Sequence, residues 1–337
     1  VNNGQKWHHP CSFCFIFPFR VLYLRRLPDR MAASDMAIGV IFLSQTVVGI
    51  LGNLSLLYQY LPLGFSGYRM RLTDTFIKHL TVANLCVLLC KGVPQTVVAL
   101  GLKYFLNDFG CKLLFYLHRV SRGVSIGSTS LLSVFQAITI SPRNSRLAEL
   151  KTKAPKYTGL SMCLSWILCM LVNVIFPMFM SGNWSNTNFT SQKSFAYCSS
   201  IRHGKTGDIM YAALLSIPDV VFLGLMLWAS SFMVSVLYRH KQKMRHIHQS
   251  NNSSRSSPES KATKIILLLV STFACFYILS CIFQVCLGLT DYPNLLLVST
   301  AGLAAGCFPS VSPFLLMSCD SRVSRHCLVW IRSQNLP

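Results

Sequence analysis

Seven stretches of this chain run for more than about 18 residues with almost no charge, the length of apolar helix that crosses the roughly 30 Å hydrocarbon core of a bilayer. They lie near residues 36–58, 76–100, 112–140, 157–180, 208–238, 264–290 and 294–317. Lipid offers no water to unpaired backbone N–H and C=O groups, so every such run has to be helical. Composition agrees: 52% of the residues are hydrophobic and 12% are charged, where soluble domains carry about 25% charge. The expected fold class is therefore an all-α membrane protein, a seven-transmembrane-helix bundle spanning residues 31–321.

A formal net charge of +21 raises the question of nucleic acid, but no zinc spacing, RNA-recognition signature or heptad-linked basic region accompanies it. The cations instead sort by loop. With the start of the first run placed outside, the cytoplasmic side receives Arg69, Arg71, Arg143, Arg146, Lys151, Lys153, Lys156, Arg239, Lys241, Lys243, Arg245, Arg255, Lys261, Lys264, Arg322, Arg325 and Arg332. The other side receives Lys103, Lys112, Lys193, Arg202 and Lys205, so the division is 17 against 5. That is a strong positive-inside bias, and it predicts an outer N-terminus and a cytoplasmic tail at 322–337. Two glycosylation triplets, at Asn183 and Asn188, fall in the loop between runs four and five, on the outer side. The overlapping triplets at Asn251 and Asn252 fall on the inner side and are expected to stay bare.

Residues 1–30 fit this topology badly, because Arg20, Arg25, Arg26 and Arg30 would sit outside. They read as an upstream extension or disordered leader ahead of Met31, and the Cys11-Ser-Phe-Cys14 spacing within them carries little weight as a redox or metal pair. Most of the 14 cysteines lie inside apolar runs, where cysteine acts as a small hydrophobe. Cys111, at the outer start of run three, and Cys198, in the long loop before run five, both face an oxidising compartment. A bridge between them is expected, tying that loop across the mouth of the bundle. Cys319 and Cys327, beside Arg322 and Arg325, suit palmitoylation as well as they suit free thiols.

Seven helices, an outer N-terminus, a bridged loop before span five and basic inner loops describe a receptor of the G-protein-coupled type, by architectural analogy. The internal repeats and broken helices of transporters are not evident, nor is a channel filter or charged ring. A transporter using intramembrane charges is the alternative from a different class. Particular segments sharpen the reading. "LLSVFQAITISPRNSRLAELKTKAPKY", from Leu131 to Tyr157, closely resembles the inner end of helix three and the following loop of vomeronasal type 1 pheromone receptors. The resemblance continues through "AIGVIFLSQTVVGILGN", "HLTVANLCVLLCKGVPQT", "FYLHRVSRGVSIGSTSLLSVFQAI", "YAALLSIPDVVFLGLMLWASS", "HGKTGD" and "FPSVSPFLLM", covering essentially Met31 to Ser321. It implies a small pheromone ligand, an inhibitory-class (Gi/Go) heterotrimeric G protein and the plasma membrane of vomeronasal sensory neurons. Among receptors, the runner-up is a bitter-taste-type receptor.

Like that family, the chain departs from rhodopsin-like receptors. Ile140-Ser141-Pro142-Arg143 stands where Asp-Arg-Tyr would end span three, Pro309 and Pro313 replace the Asn-Pro-x-x-Tyr of span seven, and Asn84 stands where an aspartate would bind sodium. Pro142 is expected to stop helix three, since proline lacks a donor and clashes with the preceding turn. Arg143, Arg146, Lys151 and Lys153 then enter the cytosol, where they anchor against anionic headgroups and form the expected G-protein contact.

Charges inside spans are costly and mark function or a buried pair. Lys91, Arg119 and Asp219 each lie about 12–16 Å inside the outer ends of their spans at 1.5 Å per residue. His118 and Arg122 share a face of span three, with Ser125 roughly a turn below, and Gln284 of span six reaches a similar level. Lys91, His118, Arg119, Arg122, Asp219 and Gln284 are thus the expected ligand-binding residues. The competing structural reading is an ion pair from Arg119 or Lys91 to Asp219. A net cationic pocket would favour acidic or hydrogen-bond-accepting ligands. Tyr104, Phe115 and Tyr116 are candidates for its apolar wall, and Pro94, Pro177, Pro218 and Pro309 are expected to kink their helices.

Enzyme signatures fail. Gly204-Lys205-Thr206 mimics the end of a P-loop, but Ser199 stands where its first glycine belongs. There is no serine-nucleophile elbow, no metal-binding histidine pair and no cofactor fingerprint. The stretch 248–260 reads as a polar linker with phosphorylatable serines.

Overall fold

The computed structural model describes residues 33–61, 72–101, 106–141, 146–181, 192–194, 198–201, 205–247, 258–289 and 295–319. These residues form seven long helices: α1 (Ala33–Tyr60), α2 (Leu72–Ala99), α3 (Asp108–Ile140), α4 (Arg146–Asn173), α5 (Lys205–Ile247), α6 (Pro258–Leu289) and α7 (Leu295–Cys319). α2 is α-helical over Leu72–Val87 and Val93–Ala99, with one π turn at Leu88–Gly92 between them. A small antiparallel sheet, β1 (Met180–Ser181), β2 (Gln192–Ser194) and β3 (Ser199–Ile201) in the order β1-β3-β2, fills part of the connection from α4 to α5. The tail expected at 322–337, the leader at 1–30, and Arg143, Asn183, Asn188, Tyr104, Asn251 and Asn252 all lie outside the described residues.

Local chemistry sets the helix ends. Asn107 caps α3 by accepting from Gly110 N at 2.8 Å, and Asp108 in the first turn pairs with Lys112 at 2.7 Å. α3 stops at Ile140; Ser141 turns extended (φ −59°, ψ 138°), the conformation a following proline imposes. The cation-rich segment expected as a loop is instead helical from Arg146 onward, and Lys151 Nζ reaches back to donate to Thr139 O at 2.8 Å. That bond satisfies one of the orphan carbonyls at the end of α3. α4 stops at Asn173, short of the expected 180. Asn173 Nδ2 turns back onto Cys169 O, Val174 N bonds Leu171 O in the tighter i−3 manner, and a 3₁₀ turn follows at Phe176–Phe179. Pro177 therefore lies beyond the helix and does not kink it, whereas Pro218, Pro309 and Pro313 are inside α5 and α7.

Six of the helices are long and apolar enough to cross a membrane, with windows such as Leu72–Ala99 and Leu296–Ser318. The bundle buries a set of polar side chains and is apolar without. Asn53, Asn84, Ser125, Ser128, Thr129 and Ser133 are buried, while Val40, Val47, Leu51, Leu164, Ile167, Leu171, Val220, Leu227 and Ile282 face outward. Water does not tolerate an apolar surface of that extent, and lipid does. The protein is a multi-pass membrane protein. α3 runs through the middle, touching α2, α4, α5 and α6. The main apolar core, around Leu80, Leu132, Met162, Met226, Leu269 and Phe308, fills the half of the bundle toward the α1–α2 and α3–α4 connections.

Candidate functional site

Cys111 at the start of α3 and Cys198 just before β3 form a disulfide, with Cα atoms 5.9 Å apart, and Val98, Leu106 and Phe115 pack around it. The bridge ties the sheet to the first turn of α3. Beneath this disulfide end, roughly 10–17 Å along α3 at 1.5 Å per residue, His118 and Arg122 line a cavity of about 40 Å³ between α2, α3, α6 and α7. Its aromatic wall is Phe273, Phe276, Tyr277 and Phe308, and Ser125 and Ser280 add hydroxyls. Phe273 meets Phe308 edge-on at 4.5 Å and stacks with Tyr277 at 5.9 Å, so the wall is a contiguous set of aromatic contacts joining α6 and α7.

The polar lining is incompletely satisfied. Among the described residues, His118 is buried with no partner on Nε2, and Arg122 Nη1 is likewise buried and without a partner. The Arg122 guanidinium lies 5.0 Å from the centre of the Tyr277 ring, and Tyr277 Oη donates to Asp219 Oδ2 at 3.2 Å. Arg122, Tyr277 and Asp219 thus link α3, α6 and α5 in series. Beneath the cavity, Ser125 Oγ donates to Asn84 Oδ1 at 2.8 Å, and Asn84 Nδ2 donates to Ser312 Oγ at 2.9 Å. The residue standing where sodium-binding receptors carry an aspartate is here a clasp between α2, α3 and α7.

The expected ligand residues divide. His118 and Arg122 share the cavity, and Asp219 reaches its wall through Tyr277. Arg119 donates from Nε to Asn173 Oδ1 at 3.3 Å, toward α4. Lys91, in the π turn of α2, lines a second, smaller cavity of about 10 Å³ with Gln45, Thr46 and Gln95. Val87 and Ala305 line both cavities and so form the wall between them. Lys91, His118, Arg119 and Arg122 still lie within range of one another's charge. The side chains of Gln284, Arg146 and Lys153 lie outside the described residues.

The aromatic wall expected from Phe115 and Tyr116 is elsewhere. Phe115 packs on the disulfide, and Tyr116 donates to Met170 O at 3.2 Å. The residues that replace them, Phe273, Phe276, Tyr277 and Ser280, recur at helical spacing in "FACFYILS". The polar Ser280 one turn beyond the aromatics was the available signal for an inward face.

Residues 36–329 match the vomeronasal organ pheromone receptor family, V1R. The chain belongs to this family. It is 58% identical to human "Vomeronasal type-1 receptor 4" over 302 residues, which cover 90% of this chain and 100% of that protein. It is 55% identical to human "Vomeronasal type-1 receptor 2" over 86% of this chain and 73% of that protein. A more distant relative, "Olfactory receptor class A-like protein 1" of Danio rerio, is 29% identical over 85% of this chain. The chain is thus a chemosensory receptor of the V1R family, and neither the bitter-taste-type reading nor the transporter reading is needed.

Proposed function

We propose that this V1R-family receptor takes a small pheromone molecule from outside the plasma membrane of vomeronasal sensory neurons and activates a Gi/Go-type heterotrimeric G protein on the other side. The observation that carries the ligand reading is the pair of unsatisfied groups, His118 Nε2 and Arg122 Nη1, beside an aromatic-walled cavity below the disulfide end. Buried polar groups without partners are costly, and a ligand's acidic or hydrogen-bond-accepting end satisfies both at once. Phe273, Phe276 and Phe308 then receive its apolar body. A cavity of about 40 Å³ holds only about three waters' worth of space, so a ligand of ordinary size must spread α6 and α7 to enter. That spreading is the movement that would reach the far end, to which the sequence assigns Arg143, Arg146, Lys151 and Lys153. Lys151 already holds the end of α3 through Thr139, so a change at α3 is felt among the proposed G-protein contacts.

The test is ligand-driven nucleotide exchange in membranes holding the full chain, screened with small carboxylic acids, sulfate esters and ketones. Arg122→Gln should lower the potency of an acceptor-bearing agonist by about tenfold or more, the worth of one charge-assisted hydrogen bond. The double charge reversal Arg143→Glu/Arg146→Glu should abolish exchange at unchanged surface level. Unchanged potency in the first variant sinks the ligand site, and normal exchange in the second sinks the G-protein contact.

A further inference from the structure

The charges inside the bundle do not balance. Lys91, Arg119 and Arg122 lie mid-helix within range of one another, and among the described residues the only acidic side chain placed mid-helix is Asp219. Asp74 and Asp108 occupy the first turns of α2 and α3. Asp35, Glu149, Asp208 and Glu259 likewise begin their helices, while Asp29, Asp291 and Asp320 lie outside the described residues. Setting aside Arg119, which is engaged with Asn173, Lys91 and Arg122 against one carboxylate still leave an excess positive charge at a depth where uncompensated charge is among the most unfavourable things a protein can bury. Asn84, where a second carboxylate could have stood, is neutral and committed to Ser125 and Ser312.

We infer that the ligand-free receptor holds a small inorganic anion, chloride under physiological conditions, against His118 Nε2 and Arg122 Nη1. Both residues line the cavity, both of these atoms lack a partner among the described residues, and His118 is only 7% exposed. The cavity of about 40 Å³ has room for one such ion with a water or two, and Ser125 and Ser280 line it as well. The ion selects the imidazole tautomer with its proton on Nε2. This deepens the ligand reading and rests on it in one respect: a pheromone's acceptor group takes the anion's place, so chloride and agonist compete.

The experiment uses the purified full-length receptor without agonist, its thermal unfolding followed as sodium chloride replaces sodium gluconate at constant ionic strength. A ligand of the folded state raises the midpoint as it saturates its site. The midpoint should climb and level off with chloride, bromide should substitute for it, and Arg122→Gln should shift the half-saturating chloride about tenfold upward or remove the effect. Arg122→Lys, which keeps the charge and loses the Nη1 donor, should lie between. A midpoint equal in chloride and gluconate overturns the inference in the wild-type protein alone, whatever the variants do. A chloride effect undiminished in both variants also overturns it, because the ion is then bound elsewhere. Loss of the chloride effect in Arg122→Gln alongside full agonist potency would leave the anion site standing and remove the ligand site. An agonist response that depends on Arg122 in a receptor indifferent to chloride would do the reverse.

Discussion

Single buried amides carry much of the connectivity in this bundle. Asn53 Nδ2 donates to Gly49 O and to Pro309 O, both at 2.8 Å, so it spans the carbonyl that lost its helical partner and joins α1 to α7. Asn84 does the same service between α2, α3 and α7 through Ser125 and Ser312, which are 3% and 0% exposed. In lipid the apolar side chains give helices no reason to prefer one another to the surrounding acyl chains, so such bonds and close packing decide which faces meet. Asn84→Ala should cost about 1–2 kcal/mol, near the lower end for orphaned hydroxyls because serine can fall back on the carbonyl one turn before it. Thermal unfolding of the purified variant measures it, and an unshifted midpoint would mean the clasp is incidental. The sequence marks both asparagines as odd residues in apolar runs, and it marks Arg122 and His118 in the same way. It does not mark their partners. Tyr277 and the phenylalanines of α6 sit in a helix that is apolar almost all round, so apart from Ser280 one turn on, little periodic contrast tells the inward aromatics from those facing lipid.

At the scale of the helix, glycine sets how closely α1, α2 and α7 approach. A Cβ on Gly49 would stand 2.6 Å from Ser310 Oγ, 2.8 Å from Leu88 Cδ1 and 3.2 Å from Ser310 Cα. The hydroxyl cannot simply swing aside without giving up its bond to Gln45 O at 3.1 Å. Gly302 meets the Gln95 carboxamide and Gly306 that of Gln45 in the same manner, at 2.9–3.0 Å. Gly49→Val should therefore destabilise the receptor by about 1–3 kcal/mol through overpacking, and lower its surface level accordingly. Gly224 in α5 is the control, with nothing within 4 Å of its absent Cβ. Gly224→Ala should be neutral or stabilise by up to about 1 kcal/mol from helix propensity alone; equal losses at both sites would show that backbone freedom, not packing, is what Gly49 supplies. Helix existence was legible because 20-residue apolar runs have one solution in lipid. Helix ends were less so: the proline after Ser141 announced the end of α3, but the helical start of α4 hides in "SRLAELKTK", where cations that look like a loop also suit a helix surface.

Across the whole molecule, two unrelated signals bear on which end faces outward. Cations divide 17 to 5 between the two sets of loops, and the cation-poor set is the one that carries the Cys111–Cys198 bridge. Charge bias arises from the insertion machinery and the membrane potential, whereas a stable disulfide requires an oxidising compartment. Their agreement supports the proposed orientation, with the disulfide end and the cavity below it outside, and closing a loop of 87 residues there stabilises the fold by about 4–5 kcal/mol in the chain-entropy account. The orientation has a chemical consequence that chain charge alone would not fix. Asn183 and Asn188 lie in the bridged connection, and Asn251 and Asn252 lie between α5 and α6, on the opposite side; only the set that enters the lumen during synthesis meets the glycosylation machinery. Enzymatic removal of N-glycans should shift the mobility of the wild-type receptor on a gel, and Asn183→Gln/Asn188→Gln should abolish that shift. A shift that survives in this double variant and disappears on replacing Asn251 and Asn252 would invert the molecule, placing His118 and Arg122 beyond the reach of any external ligand.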